Sequence, residues 1–113
     1  MNKYRVFYMR PEFFVDGIMG AEWLKNYGKT PNPKDLRLTH IELGTFEATD
    51  LDNLFVKMQG EVWSPNGEAR PLIEFKGLKH TSMSVGDIAV TESGDTFICD
   101  RIGWMILLGK ETT

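Results

Sequence analysis

Two short apolar runs near the end of this chain, Ile88-Ala89-Val90 and Thr96-Phe97-Ile98-Cys99, flank Glu92-Ser93-Gly94-Asp95. Strands about four residues apart with glycine in the turn form an antiparallel hairpin. Gly103 then sets Asp100-Arg101-Ile102 apart from a further apolar run, Trp104 to Leu108, read as a short additional strand. The hairpin commits this end of the chain to an antiparallel sheet.

The other end supplies a partner strand. Lys3 to Met9 is rich in aromatic and β-branched residues, with Tyr4, Val6 and Tyr8 alternating with Arg5, Phe7 and Met9. Apolar side chains on both faces predict a central strand, and Arg10-Pro11 ends it, because proline cannot donate to the ladder. Leu36 to Glu47 alternates imperfectly and predicts another strand, with Gly44 marking a bulge. Leu72 to Phe75 is read as a short strand broken by Gly77.

Helical spacing is clearest at Asp50 to Gly60. Thr49 or Asp50 can accept from free first-turn amides, and Leu51, Leu54, Phe55 and Met58 fall at i, i+3, i+4 and i+7. Gly60 reads as the left-handed C-terminal cap. Each large-to-alanine change on that stripe is expected to cost about 2–5 kcal/mol. Met19, Trp23 and Tyr27 suit a second helix from about Gly20 to Tyr27, after a loop. Lys29 to Asp35 carries two prolines and is a loop, and Ser64-Pro65-Asn66-Gly67 is a compact turn. Trp23 and Trp104 are assigned to the core, and the tail Lys110 to Thr113 is expected to fray.

The fold class that follows is α+β: a mainly antiparallel sheet of about five strands with two packed helices. At 113 residues, residues 1–113 make a single globular domain, large enough for one core without staples. No apolar run approaches the roughly 20 residues of a membrane helix. The N-terminus lacks the pattern of a secretion signal. No membrane association and a cytoplasmic location are expected.

Charge limits the partners. Thirteen basic and sixteen acidic residues give a net charge of -3, too balanced for a protein living mainly on phosphate contacts. A modest basic stretch, Arg70, Lys76 and Lys79, interleaved with Phe75 and Trp63, is the candidate for holding single-stranded nucleic acid by stacking. Glu42, Glu47, Asp50 and Asp52 read as a solvated strand end plus a helix cap, or alternatively as a patch imitating nucleic-acid phosphate. Trp63, Asn66 and Arg70, around the turn, form the candidate protein-binding surface, since tryptophan and arginine are favoured interface anchors. Trp63 is read equally as a side chain closing over the core.

The lone cysteine, Cys99, reads as a small buried hydrophobe. His40 and His80, with Asp87 or Glu42, lack the spacing of metal ligands. His80 is expected to hydrogen-bond a loop backbone. No metal, no cofactor and no catalytic residue is assigned.

The run His80-Thr81-Ser82-Met83-Ser84-Val85-Gly86-Asp87 reads as punctuation at the entry to a strand, with Gly86 supplying unusual φ and Asp87 capping nearby amides. Its Ser-Met and Gly-Asp also resemble the nucleophile segment of signal peptidases and LexA-type self-cleaving proteins, which pair a serine with a downstream lysine. Here the nearest downstream lysine is Lys110, and a hydrolase built on Ser82 is the remote alternative.

A wider resemblance covers the second half of the chain. The Asp50–Gly60 helix, the His80–Ile88 segment, Asp100 and Gly103-Trp104 resemble the YodL-like domains of bacterial plasmids, phages and integrated elements. His80, Ser82, Ser84 and Asp87 are its motif residues. The resemblance implies a small accessory protein of a mobile element and carries no activity with it. The function expected is that of a non-enzymatic protein that binds and modulates a host or element protein by occlusion. A nucleic-acid-associated module is the alternative.

Overall fold

The computed structural model describes residues 1–109; the tail expectation for Lys110 to Thr113 falls outside them. Strands β1 (Asn2–Met9), β2 (His40–Ala48), β3 (Ile88–Thr91), β4 (Thr96–Cys99) and β5 (Trp104–Leu108) form one antiparallel sheet in the order β2-β1-β3-β4-β5. Five short helices accompany it: α1 (Pro11–Gly17), α2 (Ala21–Asn26), α3 (Leu51–Lys57), α4 (Gly60–Trp63) and α5 (Arg70–Phe75). The α+β class and the five strands stand as expected; the helices outnumber the two foreseen.

The central strand explains the two cores. Alternation sends Tyr4, Val6 and Tyr8 to one face of β1 and Phe7 to the other. On the first face they join Leu43, Ala48 and Ala89, covered by Leu54 and Met58 from the α3 region and Ile73 from α5. On the second face Phe7 joins Ile88, Val90 and Ile98 under Ala21 and Leu24 of α2. From Val6 onward both faces of β1 are covered, while Arg5 on the second face stays exposed. Trp23 and Trp104 are half-buried against these clusters.

Local signals account for several elements. Asp50 accepts from the Asn53 amide at 2.8 Å and caps α3. The bulge lies where Gly44 marks it: Val6 pairs with Gly44 but Phe7 pairs with Glu42, leaving Leu43 as the extra residue. Gly94, at φ 94, turns the β3–β4 hairpin.

Four sequence expectations are corrected. Leu36–Leu38 is a 3-10 turn, with the Thr39 amide on the Leu36 carbonyl at 3.1 Å, and the strand begins only at His40. The segment after Pro11 is helical, because proline at the first position loses no hydrogen bond there. The same device at Pro71 makes 70–75 a helix and not a strand. Helical spacing then buries Ala69 and Ile73 together. Gly60 does not cap α3; Met58 holds that position, and Gly60 opens α4 with its amide on Ser82 Oγ at 2.7 Å. A β-carbon at Gly60 would lie 3.1 Å from that hydroxyl.

Candidate functional site

The His80–Asp87 stretch connects α5 to β3, and side chains and backbone of several elements bond to it. Asp87 immediately precedes β3, and its side chain is fully buried. Oδ1 accepts from the Met9 amide at 2.8 Å, and Oδ2 accepts from the Ser84 amide at 2.8 Å and from His80 Nε2 at 2.9 Å. One carboxylate thus joins the end of β1, its own loop and a histidine. The capping role is as the sequence suggests, but His80 bonds this carboxylate and not a loop backbone. Its ring stacks on Tyr8, with centroids 4.6 Å apart, and meets Phe14 at 4.8 Å.

The serines also serve the backbone. Ser82 Oγ accepts from Gly60, and Ser84 Oγ donates to the Ser82 carbonyl at 3.2 Å. Tyr8 Oη and Trp63 Nε1 both donate to the Thr81 carbonyl, at 2.7 and 3.1 Å. The Met83 amide donates to the Met58 carbonyl at 3.1 Å. Burial beside Asp87 raises the Tyr8 hydroxyl pKa well above its usual value. Among the described residues, no buried side-chain nitrogen or oxygen lacks a partner. The hydrolase reading pairs Ser82 with Lys110, which lies outside the described residues.

Gly86 closes this knot. It combines a φ of 100 with an approach to Gly17 so close that an added β-carbon would sit 3.1 Å from the Gly17 Cα. Its carbonyl meets His40 Nε2 at 2.7 Å, while His40 Nδ1 meets Thr39 Oγ1 at 2.7 Å. A carbonyl only accepts, so Nε2 carries the ring proton and, in the neutral ring, Thr39 donates to Nδ1. Among the described residues no group of three or more His, Cys, Asp or Glu is arranged to hold a metal.

Burial lowers the His40 pKa, outweighing the raising effect of the Gly86 hydrogen bond and of Asp87. The native state therefore binds fewer protons than the unfolded state just below the ordinary histidine value of about 6.5. Stability is fully present above that pH and falls as pH drops below it. Chemical denaturation across this range should show that slope, and His40→Gln should flatten it; an unchanged slope would remove His40 as its source.

Cys99 is buried, and desolvation, with Asp87 and Asp100 nearby, pushes its thiol up to about 12. That is the environment of an inert thiol. The acidic residues behave individually: Arg5 clamps Glu42 through two hydrogen bonds, of 3.0 and 2.9 Å, and lowers its pKa, while Asp50 is the α3 cap.

No family model, curated protein or solved structure matches the chain.

The surface around α4 and α5 holds the remaining candidates. Trp63, in the last turn of α4, is half-buried and packs edge-on to Phe46 with centroids 5.7 Å apart. Its indole therefore serves the core and leaves only part of its surface free. The Gly67 amide closes the predicted turn on the Ser64 carbonyl at 3.1 Å. Asn66 is exposed and binds Glu68, and Arg70, also exposed, lies 3.8 Å from Glu74. Arg70 and Lys79 line one hollow of about 390 Å³ together with Glu74 and Thr81; Lys76 is half-buried at the end of α5.

Phe75, which the sequence reading interleaves with the basic stretch as a stacking aromatic, and Leu72, to which it gives no binding role, dominate this surface. Phe75 is 87% exposed and Leu72, three residues earlier on the same side of α5, is 36% exposed. Read as a strand, the segment hides this pattern. Read from Pro71 at helical spacing, it buries Ala69 and Ile73 and leaves Leu72 and Phe75 outward.

Proposed function

We propose that this protein is a small accessory binding protein, without chemistry of its own, that engages another protein through the surface of α4, the Ser64–Gly67 turn and α5. The observation that carries the reading is Phe75. A phenylalanine left 87% exposed beside an outward leucine is a sidechain pair with a cost in water and a use at an interface. Asn66 and Arg70 add exposed polar side chains elsewhere on the same segment, and Trp63 packs inward against Phe46. The dense bonding of the His80–Asp87 motif supports a structural role for its hydroxyls and histidine.

This reading carries with it, as part of the proposal, the mobile-element origin implied by the resemblance noted in the sequence and a cytoplasmic setting. Among the described residues no helix is long and apolar enough to cross a membrane.

A photo-crosslinking residue in place of Phe75 should capture one discrete protein in cells, while the same residue at Glu92, on the β3–β4 turn, should not. Phe75→Ser with Leu72→Ser should cost about 1 kcal/mol or less of stability, since Leu72 still covers part of its side chain. The same pair should weaken the captured complex by about 2 kcal/mol or more, roughly thirtyfold. Equal capture at both positions, or none, would reject the surface. Capture of nucleic acid, with affinity falling steeply with salt, would replace this reading with a nucleic-acid module using Arg70, Lys76 and Lys79.

A further inference from the structure

A second, separate cleft lies on the opposite side of the sheet's end, between α1, α2 and the loop leading to β2. Its volume is about 330 Å³, at the small end of the roughly 300–1,000 Å³ typical of small-molecule sites. Its apolar lining includes Met9, Phe13 and Leu24, and Met9 and Leu24 are almost wholly buried. Asp16 and Lys29 also line it and pair with each other, Nζ to Oδ2 at 3.2 Å. The pair is partly exposed, so both ends remain open to a further partner.

Lys29 is held in place from two directions. Its amide donates to the Leu24 carbonyl at 2.7 Å, and its ammonium lies 5.6 Å from the Trp23 ring centroid. Thr39, a further lining residue, gives its hydroxyl proton to neutral His40 and so offers only an acceptor to a third group. The cleft therefore combines apolar walls with a paired cation and carboxylate, the Thr39 acceptor and the polar side chains of Thr30 and Asn32. Asp16 and Thr39 call for a donor, and Lys29 calls for an anion.

We propose that this cleft binds a small apolar zwitterion of the α-amino-acid type, its ammonium on Asp16, its carboxylate on Lys29 and its side chain against Phe13 and Leu38, the apolar lining that stays accessible above Met9 and Leu24. Adjacent opposite charges on one small molecule complement adjacent opposite charges on the protein, and a ligand bearing only one charge leaves half of that pair without gain. This site is independent of the α4–α5 surface.

Methyl-labelled methionine reports on the cleft through Met9. L-leucine at millimolar concentration should move the Met9 resonance saturably. Isocaproate, which lacks the ammonium, and isoamylamine, which lacks the carboxylate, should bind roughly tenfold more weakly. Asp16→Asn and Lys29→Gln should each weaken leucine by a similar factor, and Thr39→Val should weaken it less. No movement of Met9 with any probe would overturn the proposal. So would equal binding of all three, which would leave an apolar hollow blind to charge.

Discussion

Asp87→Ala is expected to cost about 3–5 kcal/mol, the loss that follows when one partner of a buried, hydrogen-bonded pair is removed. The side chain is fully buried and accepts from Met9, Ser84 and His80. Truncation leaves the Met9 and Ser84 amides without their acceptor and His80 without its partner, and buried donors without partners each carry a penalty of about 1–3 kcal/mol. Against a total stability of roughly 5–15 kcal/mol, the variant should be near or past its unfolding midpoint at warm temperatures.

Asp87→Asn separates shape from hydrogen bonding. Asparagine keeps the volume but offers one oxygen where the protein presents donors on both sides, so its amide must face a donor. A loss of about 1–3 kcal/mol is expected. Urea denaturation reads both variants. If Asp87→Ala unfolded within about 1 kcal/mol of the parent, the idea that this carboxylate locks β1 to the motif would be wrong.

Leu54→Ala is expected to cost about 2–5 kcal/mol, toward the upper end, because Leu54 is fully buried under the β1 face of the sheet. Leu51→Ala should cost about half of that or less. The sequence stripe assigns Leu51, Leu54, Phe55 and Met58 equal weight, but only Leu54 and Met58 are sealed; Leu51 and Phe55 pack at the margin. The ratio of the two losses, measured by denaturant midpoint at constant slope, tests whether the burial gradient across α3 is as described. Equal losses would contradict it.

The legible parts of this protein share a cause. Asp50 caps α3 through an amide three residues on, Gly94 turns a hairpin and Gly44 sits at the bulge. Each is a local event whose energy comes from residues within one turn or one strand pair. The covered second half of β1 was legible too, since apolar side chains at successive positions from Val6 to Met9 leave no face for water.

Segment 70–75 was not legible in the same way. Leu72-Ile73-Glu74-Phe75 is short, and a four-residue apolar run does not distinguish strand from helix by periodicity. Burial of Ala69 and Ile73 against the sheet decided it, and that burial placed Phe75 in water. The sequence places its candidate interface at Trp63, Asn66 and Arg70 and names Phe75 only as a stacking aromatic, while the helical period of 70–75 is what leaves Phe75 almost wholly in water. The cleft beside α1 was invisible for a related reason: Asp16, Lys29 and Thr39 come together only when α1 and α2 pack at the end of β1.

Sequence alone determined the class, the hairpin, the capped helix and the fact that Asp87 would bind backbone amides. Tertiary structure decided which amides: the Met9 amide comes from seventy-eight residues earlier in the chain. Local preferences of a few tenths to about one kilocalorie shape turns and helix ends, but they carry no information about a partner so distant. That choice belongs to the sheet, whose order places the end of β1 beside the start of β3, where a buried carboxylate has no water and must take the protein's own donors.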